Sequence, residues 1–566
     1  MNKDFPLRSY FDRASLIADY KSVQSKFNSA KHVFRLLISK HIRRERELRY
    51  VIEAPSGMHK EQVEGIAREF LIPEILVEAL FEDIGENPVP EDLINYFLLI
   101  IPGITAEDLT QNPYEISHIL RLRGGFLSVE PDIPYLHFLG NQNSSSQKTS
   151  SAPPSDKAWS LRNIRAEKAW TIIPAYGNQD GKGITIGHLD SGWTDHDDLD
   201  QVNFDHSRSR DYIDPSGAAR DPLNYHISPG HGTRTGSVIM SRGDVTLSYP
   251  PGTTKPGEIT GVARKSTYVP VRCIKSVIII SNSDIARAVR YITAIAGDVI
   301  SMSLGGRPLK ALHLAIKDAV RSDVIVVCAA GNHVKTVVWP ARYPETLAVA
   351  ANNISDQPWR GSSRGRSVDI TAPGEDVWVA EPSPKGDVVN TGSGTSYATA
   401  TLAGVAALWL AFHGKSSLIK ISGNFKISLQ EAFRSAIKTT ARVPTGWDKN
   451  NYGAGIVDAE ELLKCTLQNA AYDDVNTHGE LINLIDENNP QNGKKVLYEL
   501  FNKSTIPPAD MLDFFCHELC NLLLDNIEIL DLLRDSARNK DFLQLSKAKI
   551  LLKEHASETL WKAAGW

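Results

Sequence analysis

Residues 391–408 read TGSGTSYATATLAGVAAL, a glycine-rich loop running straight into a stretch of small and apolar residues. Gly392 and Gly394 suit a tight loop, and the alanines beyond them let a helix pack deep inside a fold. Ser396 then sits near the N-terminus of a buried helix, where free backbone N–H groups favour negative charge. Such a helix needs a sheet to lie on, and the flanking chain supplies one. Ile184–Leu189, Tyr268–Ile274, Val299–Ser303, Val324–Ala330 and Leu347–Ala351 are short apolar runs, with helical periodicity at Asp284–Ile295, Leu309–Arg321 and Ser396–Phe412. Continuous apolar runs, not alternation, predict parallel strands covered on both faces, hence an α/β fold from Trp159 to Cys465.

Two further motifs fall on the same frame. Ile184-Thr-Ile-Gly-His-Leu-Asp190-Ser-Gly192 is a strand delivering a carboxylate at its C-terminal end, the edge where open α/β sheets place their sites. His231-Gly-Thr233, after the loop glycine Gly230, puts a histidine at a helix start. Each motif alone has an ordinary structural reading as a turn, a cap or a loop. In the order Asp190, His231, Ser396 they resemble the subtilisin-like serine protease family (subtilases, peptidase S8), a likeness that spans Trp159 to Cys465. Val299-Ile-Ser-Met-Ser-Leu-Gly-Gly306, Cys328-Ala-Ala-Gly-Asn332, Trp339-Pro-Ala-Arg-Tyr-Pro344, Asp369-Ile-Thr-Ala-Pro-Gly374 and Tyr452-Gly-Ala-Gly-Ile-Val-Asp-Ala459 match further landmarks of that family in order.

The resemblance implies a subtilisin-like parallel sheet flanked by helices, and a serine endopeptidase acting on protein or peptide substrates. By that likeness Ser396 is the nucleophile, His231 the general base and Asp190 the group that orients the imidazole. Asn332 and the backbone N–H of Ser396 are the oxyanion donors. Ser303, Leu304 and Gly305 correspond to the strand that pairs with extended substrate, and Ala329, Ala330 and Gly331 to the opposite wall of the first specificity pocket. Val338 falls where a glycine often forms the pocket floor and His333 at its rim, so a shallow pocket for small or medium residues is expected. Two departures from the pattern stand out. Ala400 replaces a proline usual four residues after the serine, and Arg234-Thr235-Gly236 replaces small apolar residues after His-Gly-Thr. The calcium loops of secreted relatives are not identifiable by motif, so no cofactor and no metal is expected, and calcium stays open as an alternative that no motif supports.

The whole chain has 566 residues, with 62 Lys plus Arg against 67 Asp plus Glu and a net charge of -5. At roughly 100 to 200 residues per domain this predicts three domains. Hydrophobic residues at 42% and charged residues at 23% exclude wholesale disorder, and the near balance of charge removes the electrostatic case for nucleic acid. Residues 141–157, NQNSSSQKTSSAPPSDK, hold no large apolar residue and read as a flexible linker. Before it, residues 1–140 predict an α+β module: a helix at 30–42, a strand at Leu48–Ala54, helices at Lys60–Leu71 and Glu115–Leu122, and a strand at Phe126–Val129. Its ending, Gly124-Gly-Phe-Leu-Ser-Val-Glu-Pro-Asp132, resembles the family's inhibitory propeptide, and an unrelated docking domain is the other reading.

Residues 158–465 form the protease-like domain, and 466–566 predict an all-helical module at Glu480–Ile485, Lys494–Phe501, Ala509–Leu533 and Phe542–Ala556, a candidate binder of a regulatory partner. Within it Cys516-His-Glu-Leu-Cys520 reads as core thiols, since a zinc site needs two more ligands. Five cysteines, an odd number and mostly in apolar runs, fit a reducing cytoplasm. No secretory leader and no run of 18 apolar residues is visible, so no membrane is expected. The reading is therefore a cytoplasmic, self-inhibited serine endopeptidase; the alternative is a catalytically silent protease-fold scaffold or adaptor.

Overall fold

The computed structural model describes residues 47–103, 112–133, 153–243, 258–467 and 480–566, apart from 72–73, 175–176, 200–201, 216, 225–227, 278, 384–386, 488, 503, 505–507 and 540–541. The helix expected at 30–42 and most of the 141–157 linker lie outside the described residues. Two compact units emerge. One comprises residues 141–306 and 312–477, the other residues 1–140, 307–311 and 478–566.

The first unit is built on a seven-stranded sheet. Its strands are β1 (Thr185–Asp190), β2 (Arg210–Asp211), β3 (Thr267–Arg272), β4 (Val299–Met302), β5 (Ile325–Ala329), β6 (Leu347–Asn352) and β7 (Ile370–Pro373), in the order β7-β6-β5-β4-β1-β3-β2. All the pairings are parallel, and the inner strands are buried along their length, as their unbroken Val/Ile/Ala runs require. The chain moves outward from β1 to β3 on one side, then crosses to β4 on the other. That reversal opens a crevice at the C-terminal ends of β1 and β4, the place where such sheets hold their sites. Helices α1 (His231–Met240) and α2 (Thr395–His413) pack against each other, and α2 lies across β4 to β7. By length and composition α2 could pass for a membrane span, yet its apolar window is 94% buried within the unit. Its alanines explain why: Ala398, Ala400, Ala403, Ala406 and Ala407 have no exposure and let the helix settle onto the sheet.

In the other unit, a four-stranded antiparallel sheet at Glu47–Glu53, Leu76–Ala79, Tyr96–Pro102 and Ser128–Pro131 carries helices Lys60–Phe70 and Tyr114–Gly124. The run Tyr96–Pro102 is the strand beside Glu47–Glu53. The helical segments are Glu480–Ile485, Pro490–Leu500, Pro508–Asp525, Ile527–Asn539, Phe542–His555 and Glu558–Ala564. The single helix expected over 509–533 is two, because Asn526 donates its side-chain amide to Leu522 O (2.9 Å) while its own carbonyl starts the next helix.

The N-terminal sheet and these helices share one unit around a buried carboxylate. Glu518, 1% exposed, accepts from Ser557 N (2.7 Å), Ser557 Oγ (3.0 Å) and His118 Nε2 (2.7 Å). Tyr114 bonds to Asn521, Glu115 accepts from Thr559 N and Oγ1, and Arg121 donates to Phe514 O at 2.8 Å while lying over that ring. Arg307 meets both oxygens of Asp525, and Glu130 accepts from Lys310 N. Among the described residues no group of three His, Cys, Asp or Glu is placed to hold a metal.

Removing the Glu518 carboxylate leaves the Ser557 N–H and the His118 ring without their acceptor in a dry interior. Glu518→Ala is expected to cost about 3 kcal/mol. Hydrogen exchange should show amides of 47–132 and 508–564 losing protection together; loss confined to the helices would contradict the shared unit.

Candidate active site

Asp190 ends β1 with no exposure. Its Oδ1 accepts from His231 Nδ1 (2.7 Å) and from Ser191 N (2.7 Å). The histidine is brought there by local chain geometry. Gly230 adopts φ 71 and turns the chain into α1, so His231 is the first helical residue. Ser191 and Asp221 tie the strand end to that turn: Ser191 Oγ donates to Asp221 Oδ2 (2.6 Å), Gly230 N donates to the same oxygen (2.9 Å), and Gly232 N donates to Ser191 Oγ (3.1 Å). Sequence reading did not single out Asp221, which lies in a loop with no motif of its own. Burial pushes the Asp190 carboxyl up, but the charge and hydrogen bond of His231, with His188 and Ser191 N helping, hold it below the ordinary carboxylate value.

Ser396 is the second residue of α2 and 8% exposed. Its hydroxyl donates to Ser303 O (3.2 Å), while Ser303 Oγ donates to Ser396 O (2.8 Å). No hydrogen bond joins Ser396 to His231 in this conformation. Ser303, Leu304 and Gly305 follow directly on β4, next to β1 in the sheet.

Asn332 stands beyond the end of β5 and caps α2. Its Oδ1 accepts from Thr395 N (2.9 Å) and Thr395 Oγ1 (2.9 Å), and Thr395 Oγ1 accepts from Gly331 N (3.2 Å). With Oδ1 engaged, the carboxamide is fixed and Nδ2 is left as a donor. That amino group lies 3.2 Å from where a Cβ on Gly394 would be. Thr395, one position before the serine, thus holds Asn332 in place, a contact that no sequence motif marked.

The pocket residues divide. Val338 has no exposure and lies against both glycines of the expected walls: an added Cβ would come within 2.4 Å of Val338 Cγ2 at Gly305 and within 3.0 Å at Gly331. Ala329 and Ala330 are buried at the end of β5, with Val338 N donating to Ala330 O (3.0 Å). His333 takes φ 58, packs edge-on against Trp359, and has its pKa lowered by burial. The unusual Arg234 pairs with Glu381 (2.9 Å), and Thr235 and Gly236 turn toward the strands behind Asp190.

Comparison with known proteins gives the family of the chain. Residues 181–455 match the subtilase family, peptidase S8. The chain is 32% identical over 243 residues to subtilisin of Bacillus pumilus, covering 41% of this chain and 78% of that protein. It is 29% identical over 293 residues to the intracellular serine protease of Paenibacillus polymyxa, covering 50% of this chain and 82% of the relative. The major intracellular serine protease of Bacillus subtilis (strain 168) is 28% identical over 293 residues, at 50% and 81% coverage.

Gly331 carries the geometry of the Asn332 segment, with φ 113 and a site for Cβ only 2.8 Å from Ser363 Oγ. Gly331→Ala is expected to cost about 2 kcal/mol in a chemical melt, from backbone strain plus the clash. An unchanged midpoint would show that this turn tolerates a side chain.

Proposed function

The chain belongs to the subtilase family of serine endopeptidases, and on that premise we propose that Asp190, His231, Ser396 and Asn332 cut the peptide bond. The observation that carries the reading is the buried Asp190–His231 bond at the sheet edge where Ser396 opens α2. Substrate binding turns the Ser396 hydroxyl from Ser303 O to His231 Nε2. Oγ then attacks the scissile carbonyl carbon, its proton passes to Nε2, and the imidazolium faces the Asp190 carboxylate. The carbonyl oxygen becomes an oxyanion taken up by Asn332 Nδ2 and by Ser396 N at the helix terminus. Collapse breaks the C–N bond as Nε2 returns the proton to the leaving amine. Water, deprotonated by the same nitrogen, releases the acyl group and restores Ser396.

Substrate backbone pairs with Ser303–Gly305 as an added strand. The Val338 side chain, wedged between Gly305 and Gly331, limits the first pocket to small or medium side chains. Residues 1–140 act as a self-inhibitory domain, and the 141–157 linker is where the enzyme cuts itself. The helical tail contributes regulation, and the protease works in the cytoplasm, a location supported by Cys273 and Cys328 being fully buried free thiols.

A fluorophosphonate probe should label Ser396 in the wild-type chain and nothing in Ser396→Ala. A wild-type protein still unlabelled after removal of residues 1–157 would instead favour a silent scaffold whose serine stays on Ser303 O. Asn332→Ala should lower kcat about 100-fold to 1,000-fold with little change in KM. Val338→Gly should raise kcat/KM for a large aromatic over alanine at the first pocket by about tenfold or more. Intact masses of wild type and Ser396→Ala should differ by loss of the N-terminal segment; identical masses would remove self-cleavage.

A further inference from the structure

Behind Asp190 stands a second histidine that the reaction above does not use. His188 is two residues earlier on β1, on the same face by strand alternation, and 1% exposed. Its Nδ1 is 2.6 Å from Tyr268 Oη, its Nε2 is 3.1 Å from Thr235 Oγ1, and that same nitrogen is 3.7 Å from Asp190 Oδ2. Thr235 Oγ1 lies 3.3 Å from Asp190 Oδ2 and 3.0 Å from His231 O. Gly236 makes room for the tyrosine, because an added Cβ would come within 2.7 Å of Tyr268 Oη. The substitutions at 235 and 236 that set this sequence apart from its family therefore serve one cluster.

The proton direction follows from counting donors. Asp190 Oδ1 is already served by His231 Nδ1 and Ser191 N, whereas Oδ2 has Thr235 Oγ1 as its hydrogen-bonding donor among the described residues. Tyr268 Oη finds its partner in His188 Nδ1 and no other acceptor among the described residues. Tyr268 therefore donates to Nδ1, which leaves the neutral ring's proton on Nε2, pointing at Thr235 Oγ1. Thr235, accepting there, has one proton to share between His231 O at 3.0 Å and Asp190 Oδ2 at 3.3 Å, so the last link of the chain reaches both the carboxylate and the backbone of the histidine it orients. Burial keeps His188 neutral and its pKa down at about 4, against the pull of Asp190 and with the aid of His231.

We propose that Tyr268, His188 and Thr235 are positioning residues, a chain of donors in series that holds Asp190 Oδ2 and so fixes the carboxylate plane that orients His231. The proposal rests on the catalytic reading of Asp190, His231 and Ser396. A chain of neutral donors polarises in one direction and spreads the carboxylate charge without placing a second cation beside His231. The titratable groups that feel Asp190 are His188 on β1, His231 and Arg234 on α1, Tyr268 on β3, Cys273 just after it and Tyr397 on α2. Removing the Thr235 or Tyr268 hydroxyl leaves more charge on the oxygen facing His231. The imidazolium is then stabilised, and the pH at which His231 loses its proton rises.

The test uses the full chain with Thr235→Val, Tyr268→Phe and the conservative Thr235→Ser. The midpoint is read from the low-field proton resonance of His231 Nδ1–H, and the acid limb of kcat/KM is read beside it. In Thr235→Val and Tyr268→Phe the midpoint should move up by roughly 0.5 pH unit and kcat should fall about tenfold at constant KM. Thr235→Ser should behave as wild type. An unmoved midpoint in both hydroxyl-less variants overturns the proposal, as does a Thr235→Ser that shifts as far as Thr235→Val. Tyr268→Phe keeps the ring and removes one oxygen, so it carries the test alone if Thr235→Val does not fold. Failure of the catalytic reading looks different: the resonance still shifts while Ser396 in wild type stays unlabelled by fluorophosphonate.

Discussion

A carboxylate with no access to water must find a donor for every lone pair it keeps, and Asp190 sets that demand at the centre of this protein. The strand order places it at the crevice where the sheet reverses. Everything that meets it is therefore drawn to one spot: the first turn of α1, the backbone of Ser191, and the side chains projecting from β1 and β3. The Ser191–Asp221 pair makes that convergence rigid, since one hydroxyl and one carboxylate join a strand end to a helix start. The buried anion is tolerated because both His231 Nδ1 and Ser191 N donate to it.

How much of this could be read from sequence depends on how far each feature relies on the third dimension. Strands β1, β4, β5 and β6 were legible to within a residue or two, because a parallel strand buried on both faces writes itself as a continuous apolar run. Asp190, His231, Ser396 and Asn332 were picked out as candidates through family likeness, each on a short motif beside glycine, and the structure brings Asp190 to His231 and Asn332 to the start of α2. Thr395 was not, since nothing in a threonine before a serine reveals that it clamps an asparagine from the loop after β5. Asp221 and His188 were hidden for the same reason. Each is an ordinary residue whose meaning lies in neighbours distant along the chain. The split at Asn526 was missed because helical periodicity runs through it, while one side-chain bond to Leu522 O ends the first helix.

The two flanking segments were read as separate modules from the periodicity and order of their elements. Their apolar faces do not reveal what they cover, and only the polar contacts identify the match. Glu518 would be an unlikely core residue in a free-standing helix, but it makes sense as the acceptor for His118 and Ser557. A buried, hydrogen-bonded carboxylate of this kind adds selectivity of pairing more than net stability, because a mispaired partner leaves its lone pairs unanswered.

That pairing has a consequence for the order of events at the ribosome. His118 and Glu518 are 400 residues apart. At a synthesis rate of about 5 to 20 residues per second, roughly 20 to 80 s pass between the emergence of one and the other. The N-terminal sheet must wait through that interval with the His118 face uncovered, while the whole Trp159–Cys465 segment emerges and can begin to fold. The last unit to close is thus the one whose first half was made earliest. A chain interrupted between residues 396 and 518 carries the complete Asp190, His231 and Ser396 set but lacks the helices that join the N-terminal sheet in one unit.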